Sequence, residues 1–222
     1  MLHTLRWIGL WALCAVPSVS AQVTFFQETP RVISGSGLFA SEGDIDLRGV
    51  SVQVLPVRTV GVLLSVSYAA LPSIFDDVID PTAVTVSGGP VLYVARQGHG
   101  HPVTASAAVT LGRTWFSYDD LTATTMALGI DITRAVWQTR SVGIAPFASV
   151  GMARTTSDVI RFTSNGDVDD TESSVSQSAV LGCSFAFGTM NAFTFVLEPF
   201  YEITTSDEGR SVGVQGGFAI GF

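Results

Sequence analysis

The chain has 222 residues; 47% are hydrophobic and 14% charged, and its 11 arginines, without a single lysine, leave a formal net charge of -8. This composition excludes disorder, which requires fewer apolar residues and more charge. It also argues against nucleic-acid binding, which requires a basic face. Beyond the N-terminus no run of about 20 apolar residues predicts a transmembrane helix. The sequence is therefore more informative about architecture and location than about what the protein binds.

The first 21 residues have the pattern of an export signal. Arg6 supplies the positive charge, and the apolar stretch from Ile8 to Val16 is too short to span a membrane comfortably. Val19-Ser20-Ala21 offers residues compatible with cleavage. We predict a signal peptide at residues 1–21, cut after Ala21, with an uncleaved anchor helix as the alternative.

Removal of the signal leaves Cys183 as the only cysteine, which excludes an internal disulfide. Leu13 stands where a lipoprotein signal needs a small residue before Cys14, so lipidation is not expected. Export without disulfides is typical of a bacterial envelope protein.

The mature chain alternates large apolar residues with small or polar ones, the period of two that is typical of half-buried strands. In chain order, the clearest large-residue faces are Val50–Val54, Val60–Tyr68, Ala105–Trp115, Met126–Ile132, Val142–Met152, Leu181–Phe187, Phe193–Tyr201 and Val212–Phe222, each taken at every second position. Residues 31–40 and 84–96 are weaker candidates. The connections divide the chain into ten strands, and eight strands with residues 22–56 as an N-terminal arm is the alternative.

The second face of these strands carries Gly, Ala, Ser and Thr and few charges. A soluble sandwich would expose a charged face to water, whereas a membrane barrel turns its large apolar face to lipid and its small residues to a narrow lumen. Such a barrel must also be closed, because hydrocarbon cannot pair an open strand edge. Residues 22–222 are therefore predicted to form one all-β domain, a closed antiparallel up-and-down transmembrane β-barrel. A soluble secreted β-sandwich is the weaker alternative.

The predicted connections alternate between short turns and longer or acidic loops, as in outer-membrane barrels. The short turns lie at 56–59, 96–102, 134–140 and 188–192, and the loops at 41–46, 71–83, 117–122, 155–175 and 204–208. Fifteen of the 19 acidic residues fall in the loops, whereas Arg58, Arg96, Arg134 and Arg140 fall in the turns. We expect the loops to be extracellular and the barrel to be charge-polarised along its axis, although solvation alone also explains charged loops.

Strand parity points three carboxylates, Asp131, Glu198 and Glu202, into the predicted lumen, and no arginine within a strand accompanies them. A buried carboxylate must be hydrated, protonated or paired, because an unpaired charge is costly. Two interpretations remain open. The lumen is a narrow, water-containing pore that favours cations, or it is a filled structural barrel closed by Phe147, Tyr93 and Phe200 or by residues 22–33.

The closing stretch Val212–Phe222 reads Val-x-Val-x-Gly-x-Phe-x-Ile-x-Phe. It resembles the C-terminal signal of bacterial outer-membrane β-barrels, although Gly216 departs from the apolar pattern. Residues Pro146–Gly151 are similar to the Pro-aromatic-x-x-x-Gly strand of small OmpA-like barrels. The resemblance implies an outer-membrane, porin-like protein of the cell envelope. It also implies that the barrel assembly machinery reads Phe218, Ile220 and Phe222.

Few residues suggest chemistry. His99 and His101 lie in a predicted periplasmic turn, and no Gly-x-Ser-x-Gly motif is present. The predicted outer loops offer only carboxylates, without a base beside a nucleophile, so we expect no enzyme, cofactor or metal. Residues Asn165–Asp170 begin like a calcium loop, but they lack the sixth-position Gly, and Ser176 stands at the twelfth position. An Asn-Gly hairpin turn that extends the sheet beyond the membrane is the favoured interpretation.

The sequence thus predicts an integral outer-membrane barrel with a structural or envelope role and a potential narrow cation-favouring pore. The alternative is a surface binding or adhesion module whose acidic extracellular loops contact cations or an extracellular ligand. The expected partners are outer-membrane lipid and the barrel assembly machinery, with no nucleic acid, and the barrel is expected to be a monomer.

Overall fold

The computed structural model describes residues 23–27, 29, 31–42, 45–70, 82–117, 121–163, 166–205 and 210–222. The predicted signal peptide and its cleavage site lie outside these residues. Within the described part of the chain, no helix is both long and apolar enough to cross a membrane.

Eleven strands follow one another in the described chain. They are β1 (Val32–Glu42), β2 (Ile45–Leu55), β3 (Val60–Ala70), β4 (Thr82–Ala95), β5 (Thr104–Phe116), β6 (Thr122–Thr133), β7 (Trp137–Gln138), β8 (Val142–Thr163), β9 (Gly166–Thr189), β10 (Phe193–Thr204) and β11 (Arg210–Gly221). Ten of them form the wall, because β7 is a two-residue strand that pairs only with β8.

The wall closes on itself. Each long strand pairs antiparallel with its neighbours in the chain, β6 pairs with β8 across the short β7, and β1 pairs with β11 to join the two ends. The predicted closed ten-stranded barrel is therefore confirmed. The eight-stranded alternative is wrong, because β1 and β2, which it assigned to an arm, are fully paired members of the wall.

The large apolar side chains face outward, as predicted. Phe193, Phe195 and Leu197 are 51%, 50% and 41% exposed, whereas the intervening Thr194 and Val196 are completely buried. The same alternation runs through β3, β5, β6 and β11. The exposed belt is the surface that a transmembrane barrel presents to lipid.

Two predicted loops are instead strand. The loop expected at 41–46 is nearly absent, since β1 runs to Glu42 and pairs there with Ile45 of β2. Within 155–175 the expected hairpin extends the sheet, since β8 and β9 pair as far as Thr163 and Gly166. The Val, Ile, Phe and Thr residues of the hairpin suit an extended backbone, and the interstrand hydrogen bonds then satisfy groups that a loop would leave to water. The tip at 164–165, and most of the other three predicted loops, lie outside the described residues.

The described interior contains two larger apolar clusters besides the pair Ala127 and Ala153. One lies at the end of the barrel with the short turns, where Val23, Phe25 and Phe26 pack against wall residues such as Leu63 and Val91. The other contains Phe147, Val180 and Phe200 together with small residues of β1 to β4. Polar side chains line much of the remaining buried wall.

Candidate functional site

An N-terminal segment enters the end of the barrel at which the short turns lie. We call its described residues, Val23–Gln27 and Thr29, the plug. Val23, Phe25 and Phe26 are no more than 1% exposed, although they precede the first strand. A hydrogen bond of 3.0 Å from the Phe26 amide to the Val23 carbonyl closes a tight turn. The apolar side chains of this turn lie in the apolar cluster. The plug therefore covers this end of the lumen.

Arg96 anchors the plug to the wall. It follows the last residue of β4 and is only 5% exposed. Its Nη2 donates hydrogen bonds to the carbonyl oxygens of Phe26 at 2.7 Å and Thr29 at 3.3 Å. Arg96 lies in the predicted short turn, but its side chain is buried, and two backbone carbonyls accept hydrogen bonds from its Nη2 in place of water. The register shift between Tyr93 and Ala95 carries the side chain inward, and no motif signals it.

Two further turns hold the plug through polar contacts. The side-chain Nε2 of Gln27 donates a hydrogen bond to Oε1 of Gln138 in β7 at 3.0 Å. The Thr29 hydroxyl donates to the backbone carbonyl of Asn191 at 2.8 Å. The turn at 134–140 is itself joined to the turn that contains Arg96, because the Gln97 side chain exchanges two hydrogen bonds with the backbone of Ala135. Three of the four short turns thus contact or support the plug.

His99 and His101 lie in the turn that contains Arg96, as the sequence suggests. His99 is close to the backbone of Gln27 in the plug. Burial, followed by the positive charges of Arg58 and Arg96, lowers the pKa of His99 below its usual value. The described residues contain no group of three or more His, Cys, Asp or Glu side chains that could hold a metal ion.

The three carboxylates of the predicted lumen are buried in the wall. Asp131 on β6 is 3% exposed, and Glu198 and Glu202 on β10 are fully buried. Each accepts a hydrogen bond from a hydroxyl on the adjacent strand. The donors are Ser184 to Glu198 at 2.7 Å, Ser211 to Glu202 at 3.3 Å and Ser106 to Asp131 at 3.4 Å.

Hydroxyl pairs join other strands on the inner face. They are Ser36–Ser51 at 2.7 Å, Ser65–Ser87 at 2.6 Å, Thr85–Thr114 at 2.8 Å and Thr125–Thr155 at 3.0 Å. Gln215 also donates to Ser36. These pairs explain why the inner face has small hydroxyl residues: each hydroxyl finds its partner across a strand, so burial leaves few hydrogen bonds unmade.

The aromatic residues expected to close the lumen are all buried. Tyr93 receives a hydrogen bond of 3.0 Å from Gln53. Phe147 is paired in register with Gly182, and Phe200 is paired with Gly213. Glycine leaves the space that each ring occupies, since a Cβ at Gly182 would stand 2.6 Å from Cε1 of Phe147. These three side chains therefore occupy part of the barrel interior.

The residues of the predicted assembly signal lie on the outer surface. Phe218, Ile220 and Phe222 are exposed. The Phe222 amide donates to the carbonyl of Arg31 at 3.1 Å, so the C-terminal end is held beside the start of β1. Cys183, which parity places on the outer face, is a partly exposed free thiol.

No protein-family model and no curated protein matches the sequence. Solved structures do match. The β domain of the Bordetella autotransporter BrkA is 15% identical with a TM-score of 0.55, over 87% of this chain and 99% of that one. The translocator domain of NalP from Neisseria meningitidis is 10% identical with a TM-score of 0.55, over 99% and 97%. The transport unit of AIDA-I from Escherichia coli is 11% identical with a TM-score of 0.51, over 100% and 97%.

At these identities the likeness concerns the fold. The chain is similar to barrels of bacterial envelope proteins, and together with the closed wall and its apolar outer belt this defines its class. It has the fold of the bacterial outer-membrane β-barrels.

Proposed function

We propose that this protein is an integral barrel of the bacterial outer membrane with a non-catalytic, structural role in the envelope, and that its plug keeps it closed at rest. The observation that carries the proposal is the complete burial of Phe25 and Phe26 inside the end of the barrel, with Arg96 bound to the Phe26 carbonyl. A plug held by a buried, charge-assisted contact opposes free solute passage.

The outer surface supports the membrane location. Large apolar side chains cover the wall, among them Leu64, Leu111, Leu181 and Val212, each at least 60% exposed. A protein surrounded by water would hide such a belt, because each square ångström of apolar surface costs about 25 cal/mol when hydrated. Lipid removes that cost.

A cation-favouring pathway is proposed only for the barrel without its plug. Asp131, Glu198 and Glu202 supply negative charge to the inner face, and among the arginine side chains that the structure describes only Arg96, directly after β4, is buried. Hydroxyl pairs line the remaining polar wall. If the plug leaves, cations are favoured over anions by this charge.

Planar-bilayer recording of the refolded protein tests both parts. Three proteins are compared: the full mature chain, a variant lacking residues 23–29, and the same deletion with Asp131→Asn, Glu198→Gln and Glu202→Gln. We expect silence from the first, cation-favouring openings from the second, and openings with weaker cation preference from the third.

The outcomes separate the two parts. Steady conductance of the full chain would refute the closed barrel. Silence of the deletion variant, once its folding is verified by heat-modifiable gel mobility, would refute the pathway and leave the closed barrel in place. Unchanged selectivity in the third protein would refute the role of the carboxylates.

A second candidate function rests on the length of the β8–β9 hairpin. These strands have 22 and 24 residues, whereas the other strands of the wall have 11 to 14. β6 accompanies β8 only to Ser157, so the hairpin continues beyond the neighbouring wall. We propose this projection as the place where a surface binding or adhesion activity would lie.

Replacing residues 158–171 with Asn-Gly would test this role, because Ser157 and Glu172 are paired and a two-residue turn can join them. Adhesion of cells that display the protein to immobilised extracellular matrix should fall, while the gel mobility of the barrel stays unchanged. Equal adhesion by the two proteins would remove this second candidate.

A further inference from the structure

Four arginines project from the outer face of the wall near its extracellular end. They are Arg48 on β2, Arg113 on β5, Arg154 on β8 and Arg210 on β11, and all four are exposed. Each of them pairs across the sheet with an exposed apolar residue of the same face. The partners are, in the same order, Phe39, Val86, Met126 and Ile203. We call these four residues the arginine ring.

The ring lies at the outer margin of the apolar belt. Arg48 is the fourth residue of β2, Arg113 is the fourth from the end of β5, and Arg210 begins β11. Arg154 pairs with Met126, the fifth residue of β6. The four strands are distributed around the wall, so the charges surround the barrel.

The position of the ring agrees with the energetics of arginine on a lipid-facing wall. An outward arginine costs about 2–4 kcal/mol at the bilayer midplane and roughly 0–1 kcal/mol near the interface. Long side chains can also extend toward the headgroups. Arg48 lies 5.9 Å from the ring centroid of Phe39, and Arg113 lies 5.9 Å from that of Trp115, as expected where aromatic residues meet the headgroup layer.

The ring lacks protein counter-charges in the described part of the chain. No carboxylate there lies within ion-pair distance of any of the four guanidinium groups. Asp46 is exposed two residues from Arg48 on the same strand, yet it forms no ion pair with it. The described neighbours are instead apolar or aromatic, so these guanidinium groups are available to an anion from outside the barrel.

We propose that the arginine ring binds the phosphate groups of phosphorylated glycolipids in the outer leaflet. The planar guanidinium matches phosphate oxygens in a bidentate geometry. Basic residues at the margin of a membrane-spanning surface recognise anionic headgroups. The inference rests on the proposed outer-membrane placement, which puts the ring at the level of the outer headgroups.

Lipid retention by the purified barrel tests the ring. The refolded mature chain is incubated in micelles with lipid A or with dephosphorylated lipid A, and the bound lipid is counted by native mass spectrometry. One variant carries Arg48→Gln, Arg113→Gln, Arg154→Gln and Arg210→Gln. The matched control carries Arg31→Gln, Arg58→Gln, Arg134→Gln and Arg140→Gln, which removes four exposed arginines from the other end.

We expect the wild type and the control to retain lipid A, the ring variant to retain severalfold less, and dephosphorylated lipid A to be retained weakly by all three. Equal retention by the ring variant and the control would overturn the proposal. So would equal retention of the two lipids by the wild type, a comparison that needs no variant. Displacement of lipid A by excess inorganic phosphate would also overturn it, because the ring would then be a general anion site.

Heat-modifiable mobility of each protein keeps folding separate from binding. If the ring variant does not fold, Arg113→Gln and Arg134→Gln form the single-residue pair for the same measurement. Recovery of the native protein outside the outer membrane would refute the proposed function. Equal retention of lipid A and dephosphorylated lipid A in micelles would refute phosphate binding by the arginine ring and leave the proposed function in place.

Discussion

Nη2 of Arg96 lies 2.7 Å from the carbonyl oxygen of Phe26. This contact joins the end of β4 to the plug, and it is buried beside Phe26, which is itself fully buried. Because the contact involves a charge, it is stronger than a neutral hydrogen bond, and the loss of one partner leaves the other unsatisfied. The plug should therefore respond to Arg96 more than to any exposed arginine in the neighbouring turns.

Arg96→Ala should loosen the plug. Loss of a hydrogen bond to a charged group costs about 1.5–3 kcal/mol, and the wall itself should remain folded. Hydrogen exchange should accelerate at Val23–Gln27 with little change in the strands. Arg58→Ala, which removes an exposed arginine from the preceding turn, is the control. Unchanged exchange in Arg96→Ala would mean that apolar burial alone holds the plug.

Gly182→Ala should destabilise the barrel, whereas Gly216→Ala should not. A Cβ at position 182 would stand 2.6 Å from Cε1 of Phe147 and 2.8 Å from the carbonyl oxygen of Pro199, and one at position 216 would meet nothing closer than 3.9 Å. Overpacking of this kind costs about 1–3 kcal/mol. Urea unfolding of the two refolded variants measures the difference. A smaller loss in Gly182→Ala than in Gly216→Ala would contradict the packing of Phe147 against Gly182.

The stability of the plug should fall at acidic pH through His99. Burial and the neighbouring charges of Arg58 and Arg96 lower the pKa of His99 in the folded barrel, so folding favours the neutral imidazole. The stabilisation that neutral His99 gives the folded plug is complete above the pKa of the unfolded chain, about 6.5. It is lost as the pH falls through the lower pKa of the folded barrel. The protection factor of the plug amides, which removes the intrinsic pH dependence of exchange, should therefore fall as the pH drops below about 6.5.

His99→Gln should weaken this pH dependence, and His101→Gln, at an exposed position of the same turn, is the matched control. If the pH profile of plug exchange is the same in His99→Gln and in the wild type, another group is responsible.

Deletion of Phe222 should separate assembly in cells from folding in detergent. Phe222 lies exposed directly after β11, and its backbone amide donates a hydrogen bond to the carbonyl of Arg31. We expect a severalfold lower amount of heat-modifiable barrel in the outer membrane, with nearly normal refolding in micelles. Phe193→Ala, which removes another exposed aromatic side chain of the belt, is the control. Equal loss in the two variants would leave no special role for the C-terminal residue.

The alternation of side chains was sufficient to predict the architecture. Phe193, Phe195 and Ile220 are outward, and Glu198 and Glu202 inward, simply because successive side chains of a strand point to opposite faces. Composition then decided which face meets lipid, since a sandwich would bury the large face and expose to water a second face that here carries few charges. Both inferences depend on local geometry.

Contacts between distant parts of the chain were decided only by the tertiary structure. Arg96 and Phe26 are 70 residues apart, and no periodicity connects a turn with a segment that precedes the first strand. Likewise, the arginine ring combines residues of β2, β5, β8 and β11 that share a level only after the wall has closed. A period of two determines the face on which a residue lies, whereas closure and interstrand register determine its height and its neighbours.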